Sequence, residues 1–511
     1  MDLILHNAEV ITMDTQRPRA QAVAVRAGRI AAVGSEGEVA PLRTAETRLV
    51  DCRGEALLPA FIDAHGHLLA YAASLLSVDC TPAAVASIAD IQRAVRQRAE
   101  ATPEERWIRA FGYEETALAE GRHPNRHDLD AAAPRHPVRL IHRNGHACVL
   151  NSLALRLADI GPATEEPPGG YMERDLDSGE PTGLLLEMEE LVQQAVPPLA
   201  HQELAEGVRR AGERFLSEGI TALQDATHTN GRAEWELFAR LRREGVLPLA
   251  VTLMEGFEHL GEMPEAEEAI GLRRGPLKIM VSELGDHIHP DEAQLARMVW
   301  EAHRAGRQVA IHAVEERAVS AATAAIAEAV SRQPRAHHRH RIEHCGLLPP
   351  SLERRLAEVE ALVVTQPSFL YHRGDRYLAR VAPEKRSRLY AIRSLSRAGV
   401  TVAAGSDCPL VPPGALRGVA AATGRRAASG VTLVQEEAID VTQALRMHTI
   451  DAAYAAFQEE QRGSICPGLQ ADLVLLSADP ESVPAEKLPE LQVQWTMIDG
   501  EPVWARETGW W

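Results

Sequence analysis

Two histidines, His65 and His67, stand two residues apart at the end of the apolar run PAFIDAHGHLLA. In a β-strand, residues i and i+2 point to one side, so both imidazoles would leave a strand end together. That disposition suits a divalent ion, although two hydrogen-bonded histidines at a polar strand end would show the same spacing. Partners elsewhere in the chain decide between the two readings. His312 ends the apolar run of QVAIHA, His344 that of RIEH, and Asp407 that of VAAGSD. Each occupies the place where an apolar strand gives way to its following loop. Four histidines and one aspartate from four strands would then face one rim, and imidazole with carboxylate is a donor set for Zn2+ and similar borderline ions. Asp63, one pleat before His65, is expected to support the pair rather than bind the ion. Gly66 would keep the chain slim between the two ligands. Cys345 and Cys408 directly follow ligand positions, so alternation sends them to the opposite side as packing residues.

Such a rim needs strands that end together. After ALLPAFIDAHGH come GITALQDA (219–226), LPLAVTLM (247–254), GPLKIMVS (275–282), GRQVAIHA (306–313), HRIEHCG (340–346), ALVVTQP (361–367) and GVTVAAGSD (399–407). Helical patterns such as DEAQLARMVWEAHRAG and ERAVSAATAAIAEAVSR lie between them. Continuous apolar strands alternating with helices indicate a parallel sheet, and eight such units indicate an α/β fold of the (β/α)8 TIM-barrel type. The barrel is expected over 57–461. About 150 residues separate its first two strands, so residues 75–205 are expected to form an inserted subdomain after strand 1, at the C-terminal rim where barrel sites form. Both chain ends are rich in short β patterns, with Asp499-Gly500 a hairpin signal. Residues 1–56 plus 462–511 therefore read as one small composite β-sandwich domain. The tract HHRHR (337–341) is expected to be a solvated turn.

The chain has 54 basic and 72 acidic residues among 511, a formal net charge of −18. That balance argues against nucleic acid or an anionic membrane as the main partner. The start, MDLILHNAEVITMD, lacks the basic and apolar regions of a signal peptide, and no stretch approaches the roughly 18 apolar residues of a membrane span. Six scattered cysteines without a CxxC spacing fit free thiols and a cytoplasmic location.

FIDAHGH, IHAVEERAV, HRIEHCGLL and GSDCPL resemble the metal-ligand motifs of the amidohydrolase superfamily. GYEET (112–116), RNGHACVLNSLAL (143–155), GEPTGLLLE (179–187) and GSICPGLQADLVLLSADP (463–480) extend the resemblance to its YtcJ-like branch, the amidohydrolase type 3 group. Nearly the whole chain is covered. The resemblance implies one or two divalent ions, Zn2+ in the first instance. His65 and His67 would hold one metal, and His312 and His344 would hold a second or share in a binuclear site, with Asp407 touching the metal and its water. Lys278, in PLKIMV, matches the position where a lysine carbamate often bridges two metals. A lysine inside a barrel strand is otherwise costly, unless its amine snorkels to the rim.

The implied reaction is hydrolysis of a non-peptide C–N bond of a small molecule (an amide, N-acyl compound, carbamate or cyclic amide) by metal-activated hydroxide. Asp407 would move the proton to the leaving nitrogen, and His146 would steady the oxyanion. Tyr113, Glu114, Arg143 and His146 of the insert are expected to contact substrate. Deamination of a heterocycle, or a non-catalytic ligand-binding barrel, are the alternatives; the presence of all five candidate ligands argues against the latter. A homodimer is expected by analogy only. Two departures from the pattern bear on the substrate. SELGDHIHP (282–290) replaces a DGS-type segment, leaving His287 and His289 without an assigned role, and Asn144 stands where an aspartate often precedes Gly-His.

Overall fold

The apolar runs form eight strands of one sheet: β1 (Phe61–Gly66), β2 (Ile220–Asp225), β3 (Ala250–Gly256), β4 (Leu272–Met280), β5 (Val309–Ala313), β6 (Arg341–His344), β7 (Leu362–Thr365) and β8 (Val402–Ala404). Among these eight, every neighbouring pair is parallel and follows chain order, while the two-residue strand Ala266–Glu267 joins β4 antiparallel. Their interiors are buried on both faces, which is why they read as unbroken apolar runs rather than alternating ones. The crossovers are helical. In Glu316–Arg332, Val319, Ala322, Ile326 and Ala329 form a buried stripe at three- and four-residue steps. Helix Glu292–Arg304 starts at Asp291, whose side chain accepts from the Gln294 N–H.

The two ends of the sheet meet just past β1 and β8, making a nearly closed barrel. Asp407 N–H donates to His65 O at 2.7 Å, and His67 N–H donates to Cys408 O at 2.9 Å. The approach admits only glycine at 405: a Cβ there would stand 2.5 Å from His65 N and 2.7 Å from His65 Cβ.

The computed structural model describes residues 2–510 apart from 144, 146, 168, 169, 285 and 286. Contacts divide the chain into two units, Met1–His67 with Gly212–Trp511, and Leu68–Ala211. Besides the barrel, the first unit carries two sheets made from both chain ends. One orders Arg29–Gly34, Ala22–Arg26, Leu3–His6 and Arg48–Asp51; the other runs from Glu501–Ala505 through Val493–Ile498, Leu473–Leu476, Ala56–Pro59 and Glu9–Ile11 to Arg19–Ala20. Leu3, Val23 and Val25 from the first pack with Leu57, Leu475, Trp495 and Met497 from the second in one apolar cluster. Asp499 and Gly500 both take positive φ, 48° and 76°, and turn the final hairpin as the sequence predicts. The second unit is a six-stranded mixed sheet ordered Tyr171–Arg174, Pro181–Leu186, Ala147–Leu150, Val138–His142, Ile108–Tyr113 and Val78–Asp79. Ile91 and Val95 of helix Ile88–Glu100 and Leu129 of helix Arg126–Ala132 pack with Ile108, Ala110 and Leu140 of that sheet.

The HHRHR tract is not a solvated turn: His338 and His340 are buried, and only His337 is exposed. Val309 N–H donates to His340 Nδ1 at 3.1 Å, which leaves the His340 proton on Nε2. That nitrogen donates to His303 Nδ1 at 2.8 Å, and His303 Nε2 donates to Gln333 O at 2.7 Å. His338 Nδ1 accepts from His340 N–H, while its Nε2 donates to Val359 O. Each ring is satisfied only as a neutral imidazole, and its buried neighbours repay the cost of taking it out of water.

Candidate metal centre

β1 delivers His65 with its backbone fixed. His65 N–H donates to Asp63 Oδ1 at 3.2 Å, and the same oxygen accepts Ser406 N–H at 2.9 Å. Asp63 therefore ties the end of β1 to the segment after β8. The His65 ring is buried, with Nδ1 2.5 Å from Glu343 Oε2. Arg341 grips that carboxylate along one edge, Nε to Oε1 at 2.5 Å and Nη2 to Oε2 at 3.0 Å, and also donates to Ala64 O at 2.8 Å and to Gln224 Oε1. Burial by itself would raise the Glu343 pKa, but the Arg341 charge overrides it and holds the group well below the usual carboxylate range. An ionised Glu343 can only accept, so the His65 proton sits on Nδ1 and the Nε2 lone pair faces Asp407 Oδ1, 3.7 Å away. Burial, reinforced by the Lys278 charge, pushes the His65 pKa down to about 3, so the ring is a neutral base.

β6 ends at His344, whose φ of 73° takes the chain out of the pleat. Consecutive residues Glu343 and His344 thereby both serve the centre. His344 Nδ1 is 2.7 Å from Gln366 Oε1, just past β7, and Nε2 is 2.9 Å from His312 Nδ1 at the end of β5. Asp407 also has a left-handed backbone, φ 59°. Two non-glycine residues in this region, both in the candidate metal group, are the kind of local strain that functional sites retain. Asp407 Oδ1 lies 3.1 Å from His67 Nε2, and Oδ2 lies 4.0 Å from His344 Nδ1. Burial works against its ionisation, yet the hydrogen bond from His67 and the surrounding imidazoles hold its pKa far below the ordinary value. His67 is oriented by Thr227 Oγ1, 3.0 Å from its Nδ1.

The ligand atoms of His65, His344 and Asp407 all lie within 4.8 Å of one another, a grouping that could hold a metal ion. His67 reaches this group through Asp407, and His312 through His344. Lys278 is fully buried, so its amine does not snorkel to solvent. Burial lowers its pKa to about 8 against the opposing pull of Glu343 and Asp407. Burial first, then His344 and Lys278, pushes His312 well below its ordinary value.

In the second unit, Tyr113 is fully buried, with its hydroxyl 2.9 Å from His123 Nδ1. Arg143 donates to Glu114, and His142 Nε2 meets Glu115 Oε2 at 2.8 Å. His146 and Asn144 lie outside the described residues. His287 and His289 form a short strand with Ile288 and are exposed.

Glu343, Arg341, Gln366 and Thr227 are absent from the sequence-derived list. The one available signal was weak: an Arg-x-Glu pair inside a four-residue strand between apolar runs is compatible with a mutually neutralising buried pair as well as with a solvent-facing edge.

A model of the Amidohydrolase family matches residues 48–504. The chain is 32% identical to the N-substituted formamide deformylase of Arthrobacter pascens, over 98% of this chain and 97% of that protein. It is 27% identical to the putative amidohydrolase YtcJ of Bacillus subtilis (strain 168), over 99% of this chain and 100% of that one. Among solved structures, an uncharacterized metal-dependent hydrolase from Pyrococcus horikoshii ot3 superposes with a TM-score of 0.75 at 22% identity, covering 95% of this chain and 99% of the other. The chain belongs to the amidohydrolase family, in its YtcJ-like branch, and is a hydrolase acting on carbon–nitrogen bonds.

Proposed function

We propose that this chain hydrolyses a non-peptide C–N bond in a small amide or N-acyl compound, with Zn2+ or a similar divalent ion in the barrel mouth. The observation that carries the reading is the grouping of His65, His344 and Asp407 with each imidazole tautomer set from behind, by Glu343 and by Gln366. The donor set fits such an ion: two neutral imidazoles and an ionised carboxylate, flanked by His67 and His312. A bound ion would supply Lewis acidity, lowering the pKa of water and polarising the substrate carbonyl. The protein's own part is to place and move protons. Asp407, ionised and next to His67, accepts the proton of the attacking water and passes it to the leaving nitrogen. Lys278, with a fraction of neutral amine near pH 8, is suited to carbamate formation and would then add a carboxylate to the ligand set. Tyr113, Glu114, Arg143 and His146 are our candidates for substrate contacts. We read 1–56 plus 462–511 as a composite β-sandwich domain beside a 57–461 barrel with an insert over 75–205.

The similarity to a formamide deformylase makes N-formyl amines the first substrates to try. Metal-loaded protein should turn over at least one member of a panel of N-formyl, N-acyl, carbamate and cyclic-amide compounds, with one or more ions per chain by elemental analysis, and a chelator should abolish turnover. Active protein holding less than one ion per chain would overturn the reading. So would release of ammonia from heterocycles without cleavage of any amide on the panel.

A further inference from the structure

In the C-terminal halves of the eight barrel strands every residue but two is buried. The metal group follows suit, with His65, His344 and Asp407 no more than 5% exposed. The two departures are His312 on β5, which is partly buried, and Met280 at the end of β4, which is 38% exposed. They are neighbours: the parallel ladder pairs Met280 with His312 and Lys278 with Ala310. Residues paired in this way leave the same face of the sheet. His312 faces the metal group, its Nδ1 2.9 Å from His344 Nε2, so Met280 faces that side too. Strand alternation gives the same answer independently. Lys278, two residues earlier, lies on the inner face, buried and under the charges of Glu343 and Asp407.

The strand end that carries Met280 is held in place. Val281 is buried. Glu283 accepts the N–H of Ala318 at 2.6 Å, in the first turn of the helix Glu316–Arg332 that follows β5. The exposure of Met280 is therefore not that of a frayed terminus. A lone apolar residue on an outer surface would need no explanation. The other large apolar side chains left exposed among the described residues, such as Leu49, Leu176 and Val503, all lie outside the eight strands. Met280 instead offers apolar surface beside His312, at the end of the barrel where the metal group sits. A thioether is a weak acceptor and no donor, so it cannot hold a polar group. Its unbranched, polarizable chain adapts to apolar partners of varied shape.

We propose that Met280 is a specificity-determining residue that receives an alkyl or aryl group next to the scissile bond, so that the substrates are amides with an apolar substituent rather than small polar ones. The inference rests on the C–N hydrolase reading above and narrows its substrate class. An apolar group laid against the thioether takes both surfaces out of water. A polar group in the same place would lose its hydration and gain no hydrogen bond in return.

The test measures kcat/KM of the metal-loaded protein on two series. One is N-formyl n-alkylamines from methyl to butyl; the other is N-methyl amides with acyl chains from formyl to pentanoyl. In the wild type at least one series should rise by about two- to fourfold per added methylene, as partial to full burial of a CH2 provides. The series that rises identifies the side of the scissile bond that meets Met280. Met280→Gln, similar in length but polar, should flatten that rise, and Met280→Leu should keep most of it. Two flat series in the wild type, or a loss in Met280→Gln that is equal for every chain length, would overturn the proposal. If the wild type cleaves no member of either series, the reaction assignment fails, and calorimetric titration with the same compounds decides the contact. Binding that tightens with chain length in the wild type and not in Met280→Gln sustains it; binding indifferent to chain length, or none, overturns it.

Discussion

Glu343 works through His65 rather than on the substrate. It fixes the His65 proton on Nδ1 and leaves Nε2 free to bind metal. Glu343→Gln should therefore lower metal affinity and kcat/KM by about 10- to 100-fold with the fold retained, measured by metal titration and circular dichroism; wild-type metal affinity in the variant would refute this role. Asp407→Asn should abolish turnover while leaving the protein folded, and substantial residual activity would remove Asp407 from proton transfer. Lys278 gives a pH signature. Only its neutral amine can add CO2, and below about 8 that form falls tenfold per pH unit. At fixed dissolved CO2, the rate of metal reconstitution should rise from pH 6 to 8 and then level off; a flat profile would exclude a carbamate on Lys278. The grouping of His65, His344 and Asp407 was legible because each is a polar residue ending an apolar run. Glu343 and Arg341 were not, because charged residues in a short strand are normally read as facing solvent.

Strand positions followed directly from the apolar runs, since strands buried on both faces carry no alternation to confuse with other patterns. β8 is the shortest, Val402–Ala404, although the run in the sequence is longer. There the chain leaves the ladder to make the contacts of Gly405 and Asp407 with His65 and Thr365. Gly405→Ala should cost about 1–3 kcal/mol through overpacking against His65 and should weaken metal binding in parallel. Urea unfolding with stability unchanged would show that the seam can relax. The HHRHR tract was misread for a related reason. Histidine patterns describe chemistry but not burial, and only the adjoining strands β5 and β6 reveal that His338 and His340 lie beneath the sheet rather than in solvent.

Over the whole molecule, the His303–His340–His338 array makes stability depend on acidity. All three pKa values are lowered, chiefly by burial, with the Arg335 charge adding to the effect. Below the ordinary histidine value near 6.5 the unfolded chain binds protons that the folded chain refuses, so acid favours unfolding. Each such histidine contributes a slope approaching about 1.4 kcal/mol per pH unit below that point. Urea-unfolding stability should fall between pH 6.5 and 5, and less steeply in His303→Gln; equal slopes would deny the array this role. The interruption after the first strand was legible as a break in the barrel's rhythm, whereas the internal order of Leu68–Ala211, with parallel and antiparallel pairings in one sheet, has no simple periodic signature. The seam at His65 and Asp407 has a consequence for biosynthesis. Members of the candidate metal group come from the ends of the first and last barrel strands, so a ribosome-bound chain that has not yet released residue 407 holds only part of that group. Closing so long a loop is entropically expensive and comes late. In the reading proposed above, metal uptake would report completed folding, and a chain cut anywhere before β8 would lack the Asp407 carboxylate even with His65, His67, His312 and His344 in place.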